Sequence, residues 1–254
     1  SPASSPTYTS GSNLTISGAC ETASTVALAG DTTDSATCAS SAYSFTVTKN
    51  VDATYNFTVT QTDRASNAST STAQQWIRDV VSPSAPTITN PITSPYYSNG
   101  SNLTISGGCV TGHTVNLAGD ATDSTTCAAS AYSFSVTKNT DATYNFMVTQ
   151  TDLASNTSTS TAQQWIRDTV APSAPTITSP AASPTYSNGS NLTISGGCVT
   201  GHTVNLAGDA TDSTTCAASA YSFSVTKNTD ATYNFMVTQT DLASNTSTST
   251  AQQW

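Results

Sequence analysis

Charge is what this sequence has least of. Only 8% of its 254 residues are charged, against roughly 25% in an ordinary soluble domain. Six are Lys or Arg, and they are scattered along the chain. Nucleic-acid binding needs clustered cations that displace counterions from phosphates, so that class of partner is excluded. An anionic membrane surface is excluded on the same ground. Long apolar runs are missing too. None approaches the ~18 residues of a membrane-spanning helix, so this segment has no such span. Ser1 opens a polar stretch, not a basic and apolar leader. Histidine is confined to His113 and His202, each in a Thr-Gly-His-Thr turn. No phosphate-binding glycine loop, dinucleotide fingerprint, metalloprotease helix or nucleophile elbow occurs. A histidine base without a partner does little chemistry, so an exposed turn residue is the expectation for both. The chain is expected not to be an enzyme.

Hydroxyls fill the place of charge. Of the 65 residues from 101 to 165, 23 are Ser or Thr. Apolar residues make up 36% and the net charge is −9. Disordered chains pair low apolar content with a high density of charge, and this one does not. Its apolar share is instead rich in Val, Tyr and Phe, which suit pleated strands.

Repetition organises the rest. Residues 102–165 recur without change as residues 191–254, and a diverged copy spans 13–76. Tryptophans at 76, 165 and 254 set a period of 89. A unit that long has room for its own core, unlike a solenoid repeat. The Pro-rich segments 77–89 and 166–178 mark the boundaries. Expected domains are 1–78, lacking a first strand, then 79–167, then 168–254, cut at the last strand. The sequence reads as a window on a longer array.

Within the middle copy, Leu103 and Ile105 alternate with polar residues. So do Val115 and Leu117, then Tyr132, Phe134 and Val136, then Tyr144, Phe146 and Val148. Period two marks strands with one buried face. Turn pairs such as Asn99-Gly100 and Gly119-Asp120 separate them. Residues 175–178 and 157–166 are expected to add strands. About seven strands per copy, and no helical spacing, predict an all-β fold: tandem immunoglobulin-like β-sandwiches arranged end to end. Tyr144 stands where strand F should begin. It reads either as a tyrosine corner or as an alternating core aromatic.

Each copy owns two cysteines, 18 apart: Cys20 and Cys38, Cys109 and Cys127, Cys198 and Cys216. Autonomous units leave one pairing per copy, a bridge worth roughly 3 kcal/mol that implies an oxidising compartment. Eighteen residues do not reach from strand B to strand F. The bridge should tie the end of strand B to the segment after strand C. Aspartates are the most frequent of the recurrent charges. Asp152 lies in the expected F–G loop, and Asp79 and Asp168 end strand G at the junctions. Two readings stand: Asx turns and caps, or a junction calcium fed by Asp79, Asp152, Asp168 and carbonyls. Asn-x-Ser/Thr triplets at Asn13, Asn56, Asn67, Asn102 and Asn156 admit glycosylation.

The run Trp165-Ile-Arg-Asp168-Thr-Val-Ala-Pro-Ser-Ala-Pro175-Thr-Ile, followed by Leu192-Thr-Ile-Ser-Gly, resembles bacterial Ig-like repeats of large surface proteins and adhesins. So does Tyr144-Asn-Phe, with Val148, Thr151-Asp152 and Ala154-Ser155-Asn156. The resemblance covers all three copies. It implies stalks on the cell surface or in secreted fibres, and in some members junction calcium on the aspartate ending strand G, here Asp79 and Asp168. Such repeats often carry glycine where this chain has Ser66, Ser155 and Ser244, so ordinary backbone is expected there.

The expected function is an extracellular stalk or fibre segment of a bacterial surface protein, three units spanning roughly 100 Å from strands of ~33 Å. Its partners would be neighbouring repeats and laterally associated identical chains. The rival is a recognition module, a glycan-binding adhesin repeat or a phage tail-fibre domain, contacting a glycan or protein receptor. Recognition would need an exposed aromatic or polar cluster outside the core, for which Tyr96 and Tyr97 are the best candidates; the other two copies have Thr-Tyr there, which counts against position-specific binding.

Overall fold

The computed structural model describes all 254 residues, Ser1–Trp254. It is all-β, with 23 strands and no helix. The first copy forms β1 (Thr7–Thr9), β2 (Asn13–Ala19), β3 (Thr25–Gly30), β4 (Asp34–Thr37), β5 (Ala42–Thr48), β6 (Ala53–Thr62), β7 (Ala68–Thr70) and β8 (Gln74–Arg78). The middle copy forms β9 (Tyr96–Ser98), β10 (Asn102–Gly108), β11 (Thr114–Gly119), β12 (Asp123–Thr126), β13 (Ala131–Thr137), β14 (Ala142–Thr151), β15 (Thr157–Thr159) and β16 (Gln163–Arg167). The third forms β17 (Asn191–Gly197), β18 (Thr203–Gly208), β19 (Asp212–Thr215), β20 (Ala220–Thr226), β21 (Asn234–Thr240), β22 (Thr246–Thr248) and β23 (Gln252–Gln253).

The chain divides into two compact units. One holds Ser1–Thr89, Ser106–Phe134 and Met147–Thr161; the other holds Asn90–Ile105, Ser135–Phe146 and Ala162–Trp254. The middle copy thus contributes to both, and the repeat boundaries expected at 78 and 167 fall within the units.

In the first unit, β1-β8-β6-β3-β4 form one sheet, with β7 on β6, and β2 pairs β5 in a second. Leu14, Ile16, Phe45 and Val47 of the small sheet share a buried cluster with Val26, Leu28, Phe57 and Trp76 of the large one. This is a sandwich, closed by inner faces that alternate with Ser and Thr outside. β1 runs parallel to β8, setting Thr7 opposite Trp76. From the middle copy, this unit also carries the β11–β12 pair and the turn joining β14 to β15.

In the second unit, β17 pairs β20, and β19-β18-β21-β22 form the other sheet, with β23 on β21. Ile194, Val204, Phe223, Phe235 and Val237 fill its core. The unit also carries β16, which lies between residues 142–146 of β14, antiparallel, and β9, parallel.

Several local expectations need correction. Residues 157–166 carry two strands and not one: β15 and β16 are separated by residues 160–162, which belong to no strand. Residues 175–178 are not a strand; they lie along β17 through two bonds, Thr176 N–H to Gly197 O at 3.0 Å and Thr178 N–H to Ser195 O at 2.9 Å. The ambiguity at Tyr144 resolves as a corner. Its hydroxyl donates to Thr140 O at 2.9 Å, and Tyr55 and Tyr233 repeat the bond to Val51 O and Thr229 O.

Candidate junction site

The F–G loop is built by one aspartate. Asp152 accepts the Asn156 N–H on Oδ1 and the Asn156 Nδ2–H on Oδ2, both at 2.9 Å. Its own N–H donates to Asn156 O at 3.0 Å, and Ser155 N–H returns to Asp152 O at 3.2 Å. Closing the chain in so few residues needs a left-handed residue, and Ser155 supplies it with φ 70°. Ser66 and Ser244 do the same at 68° and 71°. The expectation of ordinary backbone at these serines is therefore overturned. A left-handed non-glycine costs about 1–2 kcal/mol, and the Asp–Asn clamp offsets it. In the first copy, the side-chain bond from Asn67 leads the causes that hold the Asp63 carboxyl below its ordinary value.

The same loop ties down the segment before its own copy. Asn156 Nδ2 also donates to the main-chain oxygen of Asp79 at 2.9 Å. Gln150 is wholly buried. Its Oε1 accepts Val110 N–H at 2.6 Å, and its Nε2 donates to Ser84 O at 3.0 Å. Ser158 Oγ donates to the same Ser84 oxygen at 3.0 Å. Further on, Thr87 N–H donates to Gly108 O and Thr89 N–H to Ser106 O. Gly107 permits this approach: a Cβ there would stand 1.8 Å from Thr87 O. The Tyr132 hydroxyl donates to that same oxygen at 2.9 Å, and burial pushes its pKa up to about 12.

The second unit repeats every bond 89 residues later. Asn245 Nδ2 donates to Asp168 O at 2.9 Å, Gln239 Nε2 to Ser173 O at 2.9 Å, and Tyr221 Oη to Thr176 O at 2.9 Å. It also adds two. Asn99 N–H donates to Ala243 O at 3.1 Å, and Asn99 Nδ2 to Asn245 Oδ1 at 3.2 Å. The matching position in the first copy is Ser10, which has no side-chain amide for the second of these bonds.

Asn156 thus brings Asp79 and Asp152 to one place, as Asn245 does for Asp168 and Asp241. As arranged, these groups do not fit a calcium ion. Calcium takes six to eight oxygens, several from carboxylates. No three His, Cys, Asp or Glu side chains gather at any point. The Asp79 and Asp168 carboxylates are turned to the N–H of Val81 and Val170, each at 2.9 Å. The amide hydrogens of Asn156 are already donated to the Asp152 carboxylate and the Asp79 main-chain oxygen.

All six cysteines are bridged within their own copy, with Cα separations of 5.9, 6.0 and 6.0 Å. Cys20 follows β2 and Cys38 follows β4, so the bridge joins the two sheets at one end. Both histidines are half-buried, not exposed, and their Nδ1 atoms are buried without a partner. Tyr96 and Tyr97 are half-buried in β9 against Trp165 and Ile166; they do not form an exposed aromatic platform. Two ion pairs occur, Arg78 with Asp52 and Arg167 with Asp141. Each holds the strand preceding a junction to the start of β6 or β14.

No protein-family model matches the chain, and no curated protein matches it. Among solved structures, it resembles the fibronectin(III)-like modules of Clostridium thermocellum CbhA, at 17% identity over 66% of this chain and 92% of that one, with a TM-score of 0.48. It also resembles the FN1–FN3 domains of chicken CNTN1, at 12% identity over 92% and 88%, TM-score 0.42. A third is invasin, a bacterial integrin-binding protein, at 14% identity over 98% and 58%, TM-score 0.32. The all-β class rests on the strands themselves; likenesses this distant say nothing of activity.

Proposed function

We propose that the chain is a repetitive spacer of an extracellular, adhesin-type surface protein, built from three Ig-like repeats at 1–78, 79–167 and 168–254, with no catalytic role. The observation that carries this reading is the junction tie. The Asn156 and Gln150 side chains hold Asp79 and Ser84, and Asn245 and Gln239 hold Asp168 and Ser173 in the same way. A segment fixed by buried amides has fewer conformations than a free Pro-rich linker, which is what a spacer needs. Three bridges with no free cysteine support an oxidising compartment. Few charges and many hydroxyls leave identical chains little to repel one another, so lateral association belongs to the same reading.

Small-angle scattering tests it. A spacer of three units should give a maximum dimension of roughly 100 Å or more, from strands of ~33 Å each. The double variant Asn156→Ala, Asn245→Ala should broaden the distance distribution. A compact particle for the wild type would exclude the spacer reading. Electron microscopy showing only single threads at every concentration would remove lateral association.

A further inference from the structure

One hydroxyl position is used differently in the first and middle copies. In the first, Thr9 Oγ1 accepts the Gly11 N–H at 2.8 Å, and Trp76 Nε1 is buried without a partner. In the middle copy the matching hydroxyl, Ser98 Oγ, accepts the Trp165 Nε1–H at 3.2 Å. That leaves the Gly100 N–H with no acceptor in the protein. Gly100 and the preceding Asn99 are both exposed. Space around the glycine is open: outside its chain neighbours, the nearest atom to a Cβ there would be Ser98 Oγ at 3.8 Å. An asparagine followed by an unhindered, unbonded glycine nitrogen carries its own nucleophile.

The amide of Asn99 is also a tie. Its Nδ2 donates to Asn245 Oδ1 at 3.2 Å, and its main-chain N–H to Ala243 O at 3.1 Å. Asn245 is not free to turn. Its Nδ2 hydrogens go to Asp168 O and Asp241 Oδ2, both at 2.9 Å. Its Oδ1 is thereby held as an acceptor, and only a donor at position 99 suits it.

We infer that Asn99 is a self-modifying site, converted to aspartate or isoaspartate with water as the only co-reactant, and that conversion unties residue 99 from the loop at 243–245. The Gly100 nitrogen attacks Asn99 Cγ. The new N–Cγ bond replaces the Cγ–Nδ2 bond, and Nδ2 leaves as ammonia with the proton that Gly100 gives up. One water then opens the succinimide. Attack at Cγ gives aspartate; attack at the main-chain carbonyl gives isoaspartate. Either product removes the Nδ2 donor and adds one negative charge. A carboxylate facing Asn245 Oδ1 sets acceptor against acceptor, so the bond is lost and nothing replaces it. Isoaspartate also lengthens the main chain by a methylene between β9 and β10, beside the point where Gly100 O accepts the Arg167 Nε–H at 3.1 Å. The first copy, with Ser10 at this position, has no amide to convert. None of this depends on the spacer reading.

The test ages the folded 254-residue chain at mildly alkaline pH and follows the tryptic peptide of residues 79–138 by tandem mass spectrometry. Asn99 should gain the amide-to-carboxyl mass, while Asn102 and Asn116, each followed by leucine, keep theirs. Gly100→Ala should suppress the gain. A synthetic peptide of residues 96–105 gives the rate without the fold. An Asn99 that stays intact while that peptide converts fully would overturn the modification. Hydrogen exchange reads the untying. The Asn99 N–H should lose about tenfold in protection in the aged chain and in Asn99→Asp alike. Asn99→Ser, which deletes the amide and adds no charge, should lose less. Undiminished protection in the converted chain, or equal losses in Asn99→Ser and Asn99→Asp, would overturn the untying.

Discussion

Asn156 and Asp79 lie 77 residues apart in the chain, and the side-chain amide of one donates to the main-chain oxygen of the other at 2.9 Å. The same Nδ2 also holds the Asp152 carboxylate. Asn156→Ala removes both bonds and should cost about 2 kcal/mol, one of them being charge-assisted. Asn67→Ala should cost less, because Asn67 has only the bonds to Asp63. Denaturant unfolding of the two variants measures the difference, and hydrogen exchange should show lost protection at residues 79–81 only for Asn156→Ala.

Gln150→Leu keeps the buried volume and deletes the amide. It removes the partner of the Val110 N–H and one of the two donors to Ser84 O, at about 1–2 kcal/mol. Gln61→Leu should be milder, since Gln61 accepts only the Glu21 N–H at 2.9 Å and is itself half-exposed. Equal losses from the two variants would contradict the role given to Gln150.

Non-reducing mass mapping of a digest should link Cys109 only to Cys127. Removing that bridge by Cys109→Ser with Cys127→Ser should lower stability by roughly 3 kcal/mol, the entropy of opening a short loop. A free thiol or a bridge between copies in the native digest would refute the pairing.

Stability should fall at both ends of the pH scale. Thr169 N–H and Oγ–H, then Arg167, hold the Asp141 carboxyl below its ordinary 3.8, and Asn67 does the same for Asp63. Depressed carboxyls bind fewer protons folded than unfolded, so their contribution is present above the unfolded value and is lost as pH falls through the folded one. Tyr132 and Tyr221 are raised by burial from 10.0 to about 12. The folded state keeps phenol protons that the unfolded chain has released, so stability is lost as pH rises across that window. Thermal melts across the range report both limbs, and Tyr132→Phe should shrink the alkaline one.

Excess calcium, followed by chelator, should leave the thermal midpoint unchanged, because the Asp79 and Asp152 oxygens already accept N–H bonds. A rise of several degrees with calcium would show that the loop rearranges to bind it.

The alternating residues were readable because one sheet face is buried, and Leu103, Ile105, Phe134 and Val136 all lie in the core. The cysteine pairs were readable because repetition leaves each copy one partner. β12, by contrast, reads Asp-Ser-Thr-Thr and has no buried side chain, so period two has nothing to report. The left-handed Ser155 follows from the Asp152–Asn156 clamp, a side-chain constraint within one loop on a residue of ordinary type. The tie from Gln150 to Ser84 spans 66 residues; a lone glutamine in an apolar alternation was its only trace. Asn99 differs from Ser10 by one side chain, and only its partner Asn245 gives that difference meaning.

The 18-residue spacing of each bridge also bears on how the chain is made. Synthesis runs from the N-terminal side, so Cys20 meets Cys38 well before Cys109 exists, and Cys109 meets Cys127 before Cys198 does. The correct thiol is always the nearest one unclaimed, and closing so short a loop costs less entropy than closing one that spans two copies. Identical neighbouring copies would otherwise invite cross-pairing, since nothing in their surfaces distinguishes one cysteine from its twin. Order of emergence supplies the discrimination that the sequence, being repeated, has no means to encode.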